Sequence, residues 1–238
     1  MGKSGTDVAK EAADIVLTDD NFATIVEAVS HGRGIYDNIK RVVHFLLSCN
    51  IGEIITVFAA IILGLPSPLA AIQLLWVNLV ADSFPAISLG LERTAKDIMK
   101  RPPIKQNEGL FPKNSGIKIF TEGLLIGILS LIAYIIGLHL EGETAGRTLC
   151  FTVLALSQLF HSFNLRSHLS LFSIGLFSNK WLLISFVFCS MAQVSTVVLS
   201  PLRPIFGTAC LSLPLWGLVL IFSAFPVIFS EVYKMLTK

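Results

Sequence analysis

The chain has 238 residues, of which 53% are hydrophobic and only 14% are charged. A soluble domain usually carries about 25% charged residues, and the mean hydropathy here is +0.74. The composition therefore excludes a soluble protein and indicates an integral membrane protein whose main partner is the lipid bilayer. The net charge of +2 and the lack of basic runs interleaved with aromatic residues argue against nucleic-acid binding.

Residues 1–40 are polar and predict a short segment outside the membrane. Residues 8–13 have helical character, residues 14–17 form a candidate strand, and Asp19, Asp20 and Asn21 precede a second helix from Phe22. A single strand cannot build a core, because its backbone groups and faces need partners. We therefore interpret residues 1–40 as the end of a larger α/β domain.

Apolar runs of about twenty residues follow, each long enough to cross a bilayer as a helix. They predict six transmembrane helices, of which the fourth is the shortest and most polar. The predicted fold class is an all-α polytopic membrane protein with a short N-terminal α/β remnant. The predicted spans are residues 42–65, 69–91, 120–138, 148–164, 181–199 and 211–229.

Basic residues in the connections predict the orientation, because Lys and Arg are enriched in cytoplasmic loops. Residues 93–118 hold seven of them, whereas residues 64–68 hold none and residues 141–147 are mostly acidic. We therefore expect both termini in the cytoplasm and a location in the cell membrane. The basic residues of the crowded loop are Arg93, Lys96, Lys100, Arg101, Lys105, Lys113 and Lys118.

Four polar residues in the first two apolar runs predict a cation site. Asn50 and Glu53 are three residues apart, and Asn78 and Asp82 are four apart, so each pair lies on one helical face. Two carboxylates with amide and backbone oxygens suit a hard cation such as calcium. Pro85 follows Asp82 closely, which predicts a broken or unwound helix whose free carbonyls line the site.

The alternative is that these polar side chains only join helices by hydrogen bonds. It explains amides well but carboxylates poorly, because an unpaired carboxylate in the membrane costs at least about 2.5–3.5 kcal/mol. Gln158 in the fourth run fits either role. We expect His44 and His161 to be packing or hydrogen-bonding residues rather than metal ligands.

Several motifs resemble the carboxy-terminal part of P-type cation-transporting ATPases, particularly the calcium pumps. The resemblance is close over residues 1–103 and rests mainly on helix number and spacing beyond them. The matching stretches are residues 1–10, 12–22, 32–40, 48–53, 75–85 and 97–103.

The resemblance implies a pump with ten membrane helices, of which this chain holds the fifth to the tenth. It implies that residues 1–40 end a HAD-like phosphorylation domain and stalk. Residues 41–92 would then be the ion-binding hairpin, residues 93–118 a cytoplasmic loop, and residues 119–238 a four-helix membrane domain. Calcium would be the transported ion, with Mg²⁺ and ATP acting only through the missing domains.

Carried over by position, Asn78 and Asp82 would bind the calcium shared with the fourth helix of the pump, and Asn50 and Glu53 would belong to a neighbouring site. Two-site calcium pumps have a hydroxyl residue at the position of Ala81 and a carboxylate at that of Gln158. Both departures remove ligands from the neighbouring site. We therefore expect one calcium per cycle, with Glu53 serving in proton countertransport.

The 238 residues contain neither the Asp-Lys-Thr-Gly phosphorylation motif nor the Gly-Asp-Gly-x-Asn-Asp magnesium motif. The leading hypothesis is therefore the membrane transport half of a calcium pump, inactive until its N-terminal part is supplied, and we expect a fragment or one piece of a split protein. The alternative is a stand-alone, non-enzymatic membrane protein with a structural or partner-binding role.

Overall fold

The computed structural model describes residues 2–95, 97–103, 109–111, 115–167, 171 and 175–236. The predicted loop 93–118 therefore lies partly outside the described residues, including its Lys96, Lys105 and Lys113. The described part is helical and contains no strand. The all-α fold expected from the sequence is confirmed.

The N-terminal segment departs from the predicted α/β remnant. Helix α1 covers Asp7–Glu11, but residues 14–17 do not form the predicted strand. Their backbone accepts one hydrogen bond from a residue distant in sequence, from Gly2 N to Leu17 O at 2.7 Å. A strand needs a partner along a whole edge, and no described residue supplies one.

Helix α2, Ala23–Ile62, is the longest helix in the described part of the chain and contains all but the last three residues of the predicted span 42–65. Its start follows Asn21, whose side-chain oxygen accepts a hydrogen bond from Ala23 N at 3.0 Å, as expected of an amide before a helix. It ends before Gly64, which has a φ of +66° that glycine adopts without steric penalty.

The second span is unwound rather than broken near Asp82, which is one of the two outcomes that the sequence predicted. Helix α3, Ala71–Trp76, continues through a π-helical turn, Val77–Asp82, into helix α4, Ser83–Gly90. The wider turn changes the hydrogen-bond register ahead of Pro85, which has no backbone donor. Ser83 Oγ donates to Asn78 O at 3.1 Å, and the helix continues as a wider turn at the point where a broken or unwound segment was predicted.

Helices α5 (Ser115–Glu141) and α6 (Glu143–Asn164) form a hairpin, and α6 lies at the centre of the bundle. Nearly all of α6 is buried, against α5, the π-helical turn, α7 (Lys180–Val198) and α9 (Leu213–Leu236). The short helix α8, Arg203–Phe206, joins α7 to α9.

Five of the six predicted spans are confirmed as helices long and apolar enough to cross a membrane. Helix α6 is the exception: its 22 residues would reach about 33 Å at 1.5 Å per residue, but its composition is too polar for the same criterion. Its neighbours cover it, so few of its polar side chains would meet lipid. The five are Ala23–Ile62, Ala71–Gly90, Ser115–Glu141, Lys180–Val198 and Leu213–Val232.

Glycines bring α5 very close to both of its neighbours. A Cβ atom on Gly127 would lie 2.9 Å from Gly52 O in α2, and one on Gly123 would lie 2.6 Å from Ser48 O. Towards α6, a Cβ on Gly137 would lie 2.7 Å from the Cα of Gly146. Small residues allow such backbone contact between membrane helices, and here they hold the part of α2 that carries Glu53.

A buried ion pair anchors the connections at one end of the bundle. The guanidinium of Arg166 donates to both oxygens of Glu92, from Nε at 2.9 Å and Nη2 at 3.2 Å. Asn179 Nδ2 also donates to Glu92, at 2.8 Å. Burial opposes ionisation of this carboxyl, but the hydrogen bonds from Arg166 and Asn179 and the charge of Arg41 outweigh it and lower the pKa of Glu92.

The close helix contact predicts a specific destabilisation. We expect Gly127→Ala to destabilise the chain by about 1–3 kcal/mol, as overpacking does, since its methyl group would meet the backbone of α2. Gly116→Ala is the control, because a Cβ there meets nothing within 4 Å. Thermal unfolding in detergent measures both variants, and equal melting temperatures would contradict the close contact.

The Glu92 ion pair predicts a pH dependence. Because the folded protein holds the pKa of Glu92 below its ordinary value of 4.5, the pair stabilises the fold above that pH, and its contribution is lost as the pH falls below it. Glu92→Gln should lower the melting temperature at pH 7 and flatten its decline below pH 4.5. Parallel melting curves for both proteins would refute this.

Candidate cation site

The candidate site lies where α2, the π-helical turn and α6 meet. Glu53 comes from the C-terminal part of α2, Asn78 and Asp82 from the π-helical turn, and Gln158 from α6. The wider turn changes the spacing of Asn78 and Asp82 along the helix. The hairpin of the first two spans brings Glu53 of one polar face into contact with Asn78 of the other.

Glu53 is the centre of the observed hydrogen bonding. Its side chain is buried, with 7% of the residue exposed. Oε2 accepts a hydrogen bond from Asn78 Nδ2 at 2.9 Å, and Oε1 accepts one from Gln158 Nε2 at 3.2 Å. Glu53 therefore joins three helical segments, and Gln158 contacts the cluster through its nitrogen. Its own Oε1 has no hydrogen-bond partner among the described residues.

Asp82 differs from Glu53 because it is buried without comparable partners. It is 1% exposed, and its two oxygens lack hydrogen-bond partners among the described residues apart from the weakly donating thiol of Cys49. Burying a carboxylate without compensation costs several kcal/mol. The negative charge of Glu53 adds repulsion, so the position of Asp82 is unfavourable unless a cation or proton joins it.

Asn50 and Asn78 lie at the exposed side of the hairpin. Asn50 Nδ2 donates to Leu46 O of its own helix at 2.7 Å, and Asn78 Nδ2 donates to Leu74 O at 3.0 Å as well as to Glu53. Asn50 forms no hydrogen bond with Glu53, Asn78 or Gln158 in the part of the chain that the structure describes. The structure therefore gathers Glu53, Asn78 and Gln158 directly, and leaves Asn50 on the adjoining surface of α2.

The donor set is made of oxygen atoms. Within the described ranges, no group of three or more His, Cys, Asp and Glu side chains is arranged to hold a metal ion. Two carboxylates and the amides beside them offer hard ligands, which favour calcium or magnesium over zinc or copper. In the part of the chain that the structure describes, neither Glu53 nor Asp82 forms a salt bridge with Lys or Arg.

A second polar cluster was missed from the sequence. Glu122 of α5 contacts His44 of α2, with His44 Nε2 and Glu122 Oε2 2.6 Å apart. His161 of α6 lies beside them and contacts Ser48 Oγ at 3.0 Å, which agrees with the hydrogen-bonding role expected for both histidines. Glu122 sits in the predicted span 120–138, and an ionisable residue in such a run was the signal that could have revealed the cluster.

The fold and this site define a class: a multi-pass membrane protein with buried carboxylates at a junction of helices. The comparisons with known proteins identify the family. The family described as "Cation transporting ATPase, C-terminus" matches residues 66–236. The chain belongs to the P-type cation-transporting ATPases and corresponds to the C-terminal part of their calcium-transporting members, which confirms the resemblance noted in the sequence.

The chain is similar over most of its length to calcium-transporting ATPases. Calcium-transporting ATPase 1 of Bacillus cereus is 47% identical, with 100% of this chain and 29% of the relative covered. The calcium-transporting ATPase of Bacillus subtilis is 43% identical, covering 95% and 26%. Calcium-transporting ATPase type 2C member 1 of Pongo abelii is 37% identical, covering 90% and 23%. The chain thus spans about a quarter of these relatives.

The unpartnered carboxylate predicts a stability effect without cation. Asp82→Asn should raise the melting temperature in the presence of a calcium chelator at neutral pH, because an amide avoids the cost of a buried charge. The expected gain is about 2–4 °C for each kcal/mol. Glu53→Gln, the matched control, should give no gain, because it exchanges an oxygen that accepts a hydrogen bond for an amide nitrogen. A lower melting temperature for Asp82→Asn would contradict this account.

Proposed function

We propose that this chain forms the ion-binding membrane part of an ATP-driven calcium pump. The observation that carries the proposal is Asp82, a buried carboxylate without strong hydrogen-bond partners, next to the oxygen-rich cluster around Glu53. A cation would relieve the cost of burying this charge. The names of the relatives, which are calcium-transporting ATPases, favour calcium as that cation.

Asp82 and Asn78 are the proposed ligands of the transported calcium. The exposed side of Asn78 and Asn50 leaves their amide groups accessible from outside the described bundle. Calcium takes six to eight oxygen ligands, more than these residues offer. Further oxygens would come from backbone carbonyls and from the pump's fourth helix, which the family resemblance implies as the neighbour of this face.

We propose a single calcium site. Both oxygens of Glu53 already accept hydrogen bonds, and Gln158 presents an amide nitrogen to it. Ala81 offers no side-chain oxygen beside Asp82. This arrangement favours Glu53 as the group that organises the site and carries a proton in exchange for calcium, with Gln158 and Asn78 bonded to it.

The energy for transport would come from a part of the pump outside these 238 residues. That part, whether joined to this chain or supplied as a separate chain, would bind ATP with Mg²⁺ and form the phosphorylated aspartate. Without it the membrane part would not transport. Residues 1–40, which include the first turns of α2, would connect the two parts on the cytoplasmic side of the cell membrane. Both termini would lie on that side.

Phosphorylation of the complete pump tests the proposal. With the phosphorylation domain present, Asp82→Asn should abolish calcium-dependent phosphorylation from ATP, because the site loses the charge that attracts the ion. Gln158→Ala should cause a milder loss. The control is Asp97→Asn, which changes a carboxylate in the connection after α4 that forms an i,i+4 pair with Arg101.

Three results would be informative. Loss in Asp82→Asn, with a milder loss in Gln158→Ala and none in Asp97→Asn, supports the site. Unchanged phosphorylation of Asp82→Asn at low calcium concentration would overturn the assignment of Asp82. No calcium-dependent phosphorylation in the unsubstituted protein, even with the phosphorylation domain supplied, would favour the alternative of a non-enzymatic membrane protein.

A further inference from the structure

A cavity of about 550 Å³ opens between α5, α6 and α9, near the start of α5. Its volume falls within the range of about 300–1,000 Å³ typical of small-molecule sites. Apolar side chains form its walls, among them Ile117 and Leu125 of α5 and Phe229 of α9. The candidate cation site shares none of its lining residues.

One residue that lines this cavity has a polar atom without a hydrogen-bond partner among the described residues. Asn164 of α6 lines the cavity and is 3% exposed, yet its Oδ1 accepts no hydrogen bond from the described residues. Its Nδ2 donates to Pro226 O at 3.1 Å. Because a carbonyl can only accept, this bond fixes the orientation of the amide and identifies Oδ1 as an unused acceptor.

The neighbouring groups already use their hydrogen bonds. Asn164 Nδ2 also lies 3.3 Å from His161 Nδ1, so that nitrogen accepts and the imidazole is neutral, with its Nε2 facing Ser48 Oγ. Glu122 is bound by His44, and its Oε1 lies 3.8 Å from Lys118 Nζ. An unsatisfied buried acceptor in a network of satisfied groups calls for a donor from outside the chain.

Charges around the cavity are balanced, which selects the kind of ligand. Lys118 pairs with Glu122, and Lys234 pairs with Glu231 at 3.2 Å. A charged head group would have to compete with one of these pairs. An uncharged donor on an apolar chain meets no such competition and satisfies Asn164 Oδ1.

We propose that this cavity binds an uncharged amphiphile whose hydroxyl group donates to Asn164 Oδ1 while its apolar chain lies against α5 and α9. Long-chain alcohols and acylglycerols share this chemistry. The site is independent of the proposed calcium site and would give this membrane region a way to respond to uncharged lipids.

Photolabelling of the 238-residue chain in phosphatidylcholine nanodiscs tests the proposal. The probe is dodecanol that carries a diazirine on its chain, and mass spectrometry locates the labelled peptides. We expect labels on α5 and α9 and competition by 1-dodecanol at a concentration about fivefold lower than by dodecane, the effect of one hydrogen bond. Equal competition by the alcohol and the alkane would overturn the proposal.

Two variants distinguish the contribution of the hydrogen bond to Asn164 from that of the cavity volume. Asn164→Leu should remove the advantage of the alcohol over the alkane, and Ser230→Trp, which fills the cavity without touching the Asn164 hydrogen bonds, should abolish labelling. Phe225→Trp, on the exposed side of α9, should leave labelling unchanged. Labelling that persists in Ser230→Trp would contradict the site.

Stronger competition by monooleoylglycerol than by dodecanol would identify an acylglycerol as the preferred ligand, and the reverse would identify a simple alcohol.

Discussion

The burial of two carboxylates in an apolar helix bundle is the constraint on which this structure depends. Neither Glu53 nor Asp82 has a basic partner among the described residues, and water is scarce at such depth. Glu53 is stabilised by amide donors from two other helical segments, while Asp82 has only a thiol beside it. The fold tolerates this because α2, the π-helical turn and α6 are held by contacts elsewhere.

The contacts that hold these segments lie outside the site, and they fix the positions of the helices that carry its residues. The glycines of α5 fix its distance from α2 and α6 to backbone contact, so a shift of α5 would move Glu53 and Gln158 together. At the end of the bundle, Asn38 Nδ2 donates to Gly90 O and Glu92 O, both at 2.9 Å, and Arg33 donates to Ile98 O and Arg101 O at 3.0 and 2.8 Å. Movement of the first part of α2, which carries Arg33 and Asn38, would therefore also move the end of the second span, which carries Asp82.

Local sequence patterns predicted what depends on local composition. Apolar runs identified five spans, and the spacing of Asn78 and Asp82 placed both on the turn that faces Glu53. Pro85 predicted a broken or unwound helix, and the structure has the unwound form, because a wider turn accommodates the missing donor without a break. The strand at residues 14–17 failed because strand formation depends on a partner edge.

Long-range packing explains the remaining omissions. Helix α6 was predicted from the sequence as the shortest and most polar span, but its place as the most enclosed helix was not, because that depends on the neighbours that cover its polar residues. The pairing of Glu122 with His44 joins residues 78 positions apart, and no local pattern predicts it. The same holds for Asn164, whose unused oxygen becomes visible only when α9 is placed against α6.

The central claim is that Asp82 is the charge that holds one transported calcium. Equilibrium binding of radioactive calcium to the complete pump, measured per phosphorylatable molecule, tests it most directly. The account predicts one bound calcium in the unsubstituted pump and none in Asp82→Asn at the same free calcium concentration. Two bound ions, or equal binding by the variant, would contradict it.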